Sequence, residues 1–201
     1  MADQRPFFDD EFGGRYLLVE PGDFMMGDEK GTRSEQPVHN VSIKDPFFCG
    51  ERPVTQAHWE TIMGNNPSAF TDGWAAGLRP VEQVSWDEVH EFLNQLNQLD
   101  HSTERLGVRG IWRLPSEAEW EYLSRANTTT RWAFGDRDGD LSDYGWHAGN
   151  SGASTREVGQ KKANPWGFFD PVSYKHLTLP TIHSVHISLV ALSSKKKDPY
   201  H

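Results

Sequence analysis

Apolar residues recur with a helical period in the segment "VSWDEVHEFLNQLNQL". One face of a helix with 3.6 residues per turn would present five of them, namely Val89, Phe92, Leu93, Leu96 and Leu99. Ser85 and Glu88 precede this stripe at the spacing of a capping box, in which each side chain accepts from the other residue's backbone N–H. The pattern therefore predicts an amphipathic helix that begins after Ser85.

Two further segments carry signals for the start of a helix. In "LPSEAEWEYLSRA", Ser116 and Glu119 repeat the capping-box spacing. In "VTQAHWETIMG", Thr55 is placed to cap a helix and Gly64 to end it in a left-handed turn. We predict a helix in each segment.

Strands are predicted near the N-terminus, where apolar runs are separated by turn residues. "YLLVEPGDFMMG" indicates two strands around a Pro-Gly turn, and "PVHNVSIKDPFF" indicates another. Residues 1–14 are expected to be a flexible leader. Residues 127–170 show no usable period, and loops of this length in compact domains are usually functional or disordered.

Composition favours an α+β fold that is rich in loops and low in regular secondary structure. Hydrophobic residues make up only 36% of the chain, but there are eight Trp and eleven Phe, so aromatic rings must supply much of the core. Eighteen Gly and twelve Pro imply many turns. A helix bundle and a doubly wound sheet are both disfavoured.

Charge and cysteine content exclude several classes of function. A net charge of −9 argues against a nucleic-acid partner, which needs a positive face. No secretory signal or membrane-length apolar run is visible, so we expect a soluble, cytoplasmic protein. Cys49 is the single cysteine, which excludes an intramolecular disulfide and a thiolate metal cluster within this chain.

The composition changes near Asp170. Residues 1–170 contain 16 basic and 28 acidic residues, whereas residues 171–201 contain four Lys and one Asp. "VHISLVAL" in the latter segment alternates as a strand would. We expect a domain over residues 15–170 and a foreign or frameshifted tail over residues 171–201.

A set of phrases in this chain closely resembles the formylglycine-generating-enzyme, or sulfatase-modifying-factor, family. In order, they are "GDFMMG", "QPVHNVSI", "PVTQAHW", "MGNNPSAF", "RPVEQVSWDEVHEFLNQLN", "WRLPSEAEWEYLSRA" and "NPWGFFD". The resemblance covers about residues 15–170 and implies an α+β fold related to C-type lectins. After "NPWGFFD" the chain departs from the family pattern, so the fold is expected to be incomplete at its C-terminus.

The resemblance implies an activity that this chain is not equipped to perform. The family oxidises a sulfatase cysteine to Cα-formylglycine with oxygen and copper(I), bound by two neighbouring cysteines, and Cu(I) prefers soft thiolates. Cys49 lies outside the catalytic region of the family, and we interpret it as a small buried hydrophobe. We therefore predict no catalytic or cofactor-binding residue and an inactive fragment. The alternatives are a peptide-, glycan- or partner-binding domain of the same fold, and a nonheme-iron oxidase, for which no His-His-carboxylate triad is visible.

Calcium is the other metal that the resemblance implies. Asn150, through its side chain, and Ser151, through its carbonyl, match one family calcium site, and oxygen donors suit this cation. The downstream Asp of that site has no clear counterpart in this chain, so an ordinary Asx turn is the alternative. His39, His58 and His90 are interpreted as structural or exposed.

Partners follow from the same resemblance. A sulfatase-like peptide or protein is the expected ligand, and neither nucleic acid nor membrane is expected. Because the fold is expected to lack its C-terminal half, Trp112, Trp120 and Phe168 are predicted to be partly uncovered. Exposed apolar patches of this kind would favour self-association.

Overall fold

The structure is a computed structural model that describes residues 5–100, 110–170 and 190–191. The strands are β1 (Phe7–Asp9), β2 (Arg15–Val19), β3 (Gly22–Met26), β4 (His39–Ile43), β5 (Phe47–Gly50), β6 (Trp112–Arg113) and β7 (Val190–Ala191). The helices are α1 (Gln56–Met63), α2 (Trp86–Leu99), α3 (Glu117–Arg125) and the single turn α4 (Leu141–Tyr144). Short 3₁₀ turns and irregular loops connect them.

An antiparallel sheet with the order β1-β2-β5-β7-β6 lies at the centre of the described structure. Successive side chains of a strand point to opposite faces of a sheet, so the register assigns each residue to a face. Tyr16 is opposite Phe8 and Gly50, whereas Leu17 is opposite Phe7 and Cys49. The sheet therefore separates an aromatic core from a second core that contains Leu17 and Cys49.

Helices α1 and α2 cover the aromatic face. The ring of Trp59 on α1 stacks on that of Phe92 on α2, with centroids 4.8 Å apart and planes 3° from parallel. On the sheet side, the Tyr16 and Trp112 rings lie 4.5 Å apart. Five aromatic rings are buried in this core, namely Phe8, Tyr16, Trp59, Phe92 and Trp112.

Helix α3 and the loop that ends in Phe168 cover the other face. Tyr122 and Leu123 of α3 and Phe168 are buried in one cluster with Leu17 and Val19 of β2 and with Phe47 and Cys49 of β5. Strands β3 and β4 form a separate two-stranded sheet, in which Met26 is opposite His39. The hairpin packs on α3 through contact between the rings of Phe24 and Tyr122.

The three predicted helices and their caps are confirmed. Ser85 and Ser116 each form a complete capping box, with Glu88 and Glu119 respectively. The Thr55 hydroxyl accepts from the backbone N–H of His58, and Gly64 ends α1 at φ +70°. The predicted strands also form, but β2 and β3 belong to different sheets and are not paired as a hairpin.

Two expectations about the ends of the domain need correction. Residues 5–14 are not a flexible leader, because β1 pairs with β2 and Phe8 is buried in the aromatic core. Trp112 and Phe168 are 4% and 1% exposed and are not uncovered, whereas Trp120 is half-buried. Self-association stays a prediction, but it has lost two of its three supporting residues.

Most of the tail lies outside the described residues. Within "VHISLVAL", Val190 and Ala191 form β7, which lies between β5 and β6. The expected foreign or frameshifted origin of residues 171–201 stays a prediction.

Candidate functional site

A large cleft lies between the β3–β4 hairpin and the loop after α3. Its volume is about 1230 Å³, which exceeds the ~300–1,000 Å³ of a pocket for a small ligand. The walls include the aromatic rings of Phe24, Tyr122 and Trp132. We call this space the hairpin cleft.

An ion pair on α3 fixes one wall of the hairpin cleft. Glu121 accepts from the backbone N–H of Gly27 at 2.9 Å, and Arg125 donates to the Gly27 carbonyl at 2.5 Å. The two side chains also bind each other at 2.7 Å. Gly27 has φ +103°, and a Cβ there would lie 2.4 Å from the backbone oxygen of Glu35, so only glycine fits this close approach.

The other wall is a tight loop. The backbone groups of Trp132 and Gly135 bind each other at 3.0 and 3.1 Å. Asp136 accepts from the backbone N–H of Arg131 at 2.8 Å, and the Trp132 indole donates to Asp138 at 3.0 Å. Both walls are thus held by hydrogen bonds within the domain.

The charge of the hairpin cleft is negative. Five acidic residues line it, namely Asp23, Asp28, Glu29, Glu35 and Asp136. Of the three basic lining residues, Arg125 and Arg131 are paired with Glu121 and Asp138. Such a surface favours a ligand with positive charge.

In a second cleft, of about 560 Å³, the lining residue His58 contacts a buried carboxylate, that of Asp10. The Asp10 carboxylate is inaccessible to solvent and accepts from the backbone N–H groups of Phe12 and Gly14 and from the Tyr16 hydroxyl, at 2.7–2.9 Å. His58, which lines this cleft, places Nε2 3.2 Å from Asp10 Oδ2, a distance that meets the ion-pair limit although the angle is poor for a hydrogen bond.

Opposing effects act on the pKa of Asp10. Burial raises it, but the close contact with His58 and the hydrogen bonds from the backbone N–H groups of Gly14 and Phe12 outweigh burial, so the pKa is lowered. The carboxylate is therefore held as an anion. Burial also holds the pKa of Tyr16 well above its ordinary value, so its hydroxyl stays a donor.

The sequence did not identify this buried pair. His58 is interpreted there as structural or exposed, and the structure places it among buried residues on α1. Asp10 falls within the expected leader. A signal was present in "DDEFGGRY", because an Asp two and four residues before backbone N–H groups in a Gly-containing turn is typical of an Asx-type turn.

Cys49 lies on β5, is 0% exposed, and packs in the second core. Burial raises the pKa of its thiol to about 12. A neutral, inaccessible thiol does not fit a copper(I) site, which needs thiolates. The interpretation of Cys49 as a small buried hydrophobe is confirmed.

The two predicted calcium ligands are adjacent, but their oxygen atoms are engaged. Asn150 Oδ1 accepts from the backbone N–H of His147 at 2.8 Å, and its amide donates to the Gly145 carbonyl at 3.0 Å. The Ser151 carbonyl accepts from Arg156 at 2.7 Å, which brings a positive charge to the site. Asn150 therefore accepts from a residue three positions before it, whereas the oxygen of an Asx turn accepts from the N–H two residues after it, so these contacts are not those of the Asx turn. In this arrangement the residues do not fit a calcium ion.

Within residues 5–100, 110–170 and 190–191, no three His, Cys, Asp or Glu side chains lie close enough together to hold a metal ion. No helix in the same ranges is both long and apolar enough to cross a membrane. The cytoplasmic location stays a prediction.

The fold and its two clefts define a loop-rich domain of mixed helix and strand. A family model for the sulfatase-modifying factor enzyme 1-like domain matches residues 9–172. The chain belongs to this family, the one that the sequence phrases resemble.

Curated relatives and solved structures agree with this assignment. The chain is 39% identical to the formylglycine-generating enzyme of Mycobacterium tuberculosis, over 75% of this chain and 68% of that protein. It is 28% identical to the chaperone protein LppX of Paenibacillus barcinonensis, over 77% of this chain and 66% of that protein. The chain thus spans about two thirds of the length of these two relatives.

Among solved structures, Treponema denticola variable protein 1 matches with a TM-score of 0.70 and 25% identity, over 82% of this chain and 72% of that one. PvdO from Pseudomonas aeruginosa matches with a TM-score of 0.65 and 20% identity, over 85% and 72%. The second likeness concerns the fold alone.

Proposed function

We propose that this chain is a peptide-binding domain of the sulfatase-modifying-factor family and does not itself oxidise cysteine. The observation that carries the proposal is the state of Cys49, the single thiol of the chain, which is buried with a raised pKa. Binding of Cu(I) in the family needs two thiolates, and this chain has one inaccessible thiol.

The hairpin cleft is the proposed binding surface. Its volume of about 1230 Å³ has room for several side chains of an extended peptide. The partly exposed ring of Phe24 supplies apolar contact area, and the excess of acidic over basic residues selects for Lys or Arg in the ligand. The ligand class is therefore a peptide or protein segment with basic and apolar residues, of which a sulfatase-like segment is one example.

The binding claim is tested with a fluorescent ten-residue peptide that alternates Lys with Leu, and with a counterpart in which Glu replaces Lys. The double variant Asp23→Asn with Glu29→Gln removes two charges from the cleft and keeps the polar groups. Asp87→Asn with Glu91→Gln removes two charges from exposed positions on α2, outside the cleft.

Fluorescence anisotropy is expected to show that the Lys peptide binds the parent chain, and that it binds more weakly at high salt. We expect the cleft variant to bind this peptide about tenfold more weakly and the α2 variant to bind it as the parent does. Equal losses in both variants, or equal binding of the Glu peptide, would contradict the proposed site.

The catalytic claim is tested separately. The chain is incubated with copper(I), oxygen and a sulfatase peptide that contains the target cysteine, and the product is analysed by mass spectrometry. We expect no aldehyde. Formation of aldehyde would overturn the proposal.

A second candidate function is favoured by the 39% identity to a formylglycine-generating enzyme. In that case the present chain is part of a longer oxidoreductase whose copper-binding cysteines lie outside these 201 residues. The DNA sequence of the full gene distinguishes the binding domain from the part of a longer enzyme. A cysteine pair encoded in frame after the codon for Asp170 favours the enzyme, and its absence favours the binding domain.

A further inference from the structure

Strands β5 and β6 do not pair with each other, because β7 lies between them and is antiparallel to both. Val190 is opposite Cys49 on one side and Arg113 on the other, and Ala191 is opposite Phe48 and Trp112. Neighbouring strands are ~4.8 Å apart, so β5 and β6 are separated by about 9.6 Å. We call this space, which has room for one strand, the strand slot.

Both walls of the strand slot are held from outside it. Strand β5 pairs with β2 over four residues. On β6, the backbone N–H of Trp112 donates to Asn97 Oδ1 at 2.7 Å, and the Asn97 amide donates to the Trp112 carbonyl at 2.9 Å. The Asn97 side chain therefore satisfies the outer edge of β6 as a further strand would.

A bidentate ion pair fixes the next residue of β6. Arg113 binds both carboxylate oxygens of Glu119 on α3, at 2.6 and 2.7 Å. None of these contacts involves β7. We expect the walls to keep their positions when β7 leaves.

The register also shows which main-chain groups face the slot. The N–H and C=O of one strand residue point to the same side, and those of its neighbour point to the other. Because those of Trp112 face Asn97, those of Arg113 face β7 and pair with Val190. The backbone N–H and C=O of Val190 therefore point away from Cys49 and towards β6. Those of its neighbour Ala191 point towards β5.

We propose that the strand slot is a strand-acceptor site and that the segment around Val190–Ala191 is its exchangeable occupant. Recognition is through the main chain, as in β-strand addition, so the ligand class is an extended segment of β-forming residues. A free peptide with the sequence of residues 186–194, "HISLVALSS", is expected to enter the slot when the tethered strand is weakened.

The chain that links Asp170 to Val190 determines how well a free peptide competes with the covalently attached β7 segment. Nineteen residues separate Asp170 from Val190. By general polymer scaling, a random-coil linker of this length would have an end-to-end distance of about 24 Å and would give an effective concentration of about 1 mM. A free peptide at lower concentration competes only if the tethered strand is impaired.

The occupant is tested with the native thiol of Cys49. In the variant Val190→Cys, the two cysteines occupy a pair without mutual main-chain hydrogen bonds, in which Cα atoms are ~4.5 Å apart, within the range of a disulfide. The protein is refolded with diamide, which takes up two electrons and two protons as the two thiols form one S–S bond.

We expect a linked peptide containing positions 49 and 190, found by mass spectrometry under non-reducing conditions. The matched control Ala191→Cys places its thiol opposite Phe48 and is expected to link at least tenfold less. Equal linking in both variants, or linking in neither, would overturn the assignment of the occupant.

Exchange is tested with Ala191→Pro, which removes the N–H that faces β5. The labelled peptide of residues 186–194 is expected to bind this variant at least tenfold more tightly than the parent chain. Ser194→Pro, outside the described strand, is expected to match the parent, and a peptide with Pro in place of Ala191 is expected to bind neither. No gain in the Ala191→Pro variant contradicts exchange.

A second measurement covers the case in which Ala191→Pro does not fold. The Val190→Cys chain is refolded with diamide in the presence of 5–10 mM free peptide. These concentrations are several times the ~1 mM effective concentration, so at least half of the intramolecular disulfide is expected to be lost. An unchanged yield, or the same loss with the Pro-containing peptide, would contradict exchange.

Discussion

Replacing Asp10 by Asn should reveal how much the buried carboxylate stabilises the domain. The substitution keeps the shape and leaves one oxygen that can accept from the backbone N–H groups of Phe12 and Gly14. It removes the negative charge that faces His58 and places an amide near the Tyr16 hydroxyl. The neighbouring Asp9→Asn is a matched control, because the side chain of Asp9 is 51% exposed and its partner Arg15 is also at the surface.

The contacts of Asp10 set the magnitude. Hydrogen bonds to a charged group stabilise by ~1.5–3 kcal/mol and those between neutral groups by ~0.5–1.5 kcal/mol. Three donors bind this carboxylate and His58 Nε2 lies 3.2 Å from it. Their losses are not additive, so we expect Asp10→Asn to lower the free energy of unfolding by about 2–4 kcal/mol. In a domain of this size that corresponds to a fall of roughly 5–15 °C in Tm. Asp9→Asn should cost ~1 kcal/mol or less.

The dependence on pH gives the sign of the effect. The pKa of Asp10 is lower in the folded state than in the unfolded chain, so its contribution is fully present above the unfolded value and is lost as pH falls through the folded value. The difference in the free energy of unfolding between parent and Asp10→Asn should be smaller at pH 3 than at pH 7, with the decrease below about pH 4. Urea unfolding, monitored by Trp fluorescence at each pH, measures this difference in the free energy of unfolding. Equal costs for the two variants, or a difference unchanged at pH 3, would refute the reasoning.

Three further outcomes follow from packing. Gly27→Ala should lower the free energy of unfolding, measured in urea, by at least ~2 kcal/mol, because its Cβ would lie 2.4 Å from a backbone oxygen. Gly73→Ala is also at positive φ but in open space, and should lower it by only ~1 kcal/mol. Equal losses in the two variants would exclude the contact as the cause. Iodoacetamide at pH 8 should not label Cys49 until the protein unfolds, since burial raises the pKa of the thiol to about 12, and rapid labelling of folded protein would contradict its placement. Trp59→Ala should lower the free energy of unfolding by ~3–5 kcal/mol, because Trp59 is buried. Trp74 is 94% exposed, and Trp74→Ala should keep Tm within about 2 °C of the parent value. A large effect at Trp74 would show that the exposed ring is packed in solution.

The helices could be predicted because their signals are local. A capping box such as that of Ser85 and Glu88 spans four residues, and the apolar stripe that follows repeats within one helix. The sheet could not be predicted to the same extent, because its pairs join distant residues: Tyr16 is opposite Gly50, and Trp112 is opposite Ala191. Pairing therefore depended on the whole fold and not on any one segment.

The candidate sites divide in the same way. Cys49 was interpreted correctly because a single thiol is most often a buried hydrophobe, a property that needs no partner. The contact of Asp10 with His58 joins residues 48 positions apart in the chain. The Asx-type signal in "DDEFGGRY" indicates a turn there, but it does not indicate that the carboxylate is buried or that it faces His58. Charge alone indicates the surface, and for Asp10 that indication was wrong.

The same difficulty extends to the long loops, which are held by buried polar side chains in place of strand pairing. Gln56 donates to the Phe70 carbonyl, and Glu82 accepts from the backbone N–H groups of Ala69 and Phe70. Both side chains are at most 1% exposed although their residue types are usually found at the surface. Backbone groups in an irregular loop must still be paired when buried, and a long polar side chain can reach them where no strand is available. A pattern of hydrophobic and polar positions assigns such residues to the exterior, so loop-rich domains of this kind hide part of their core from sequence analysis.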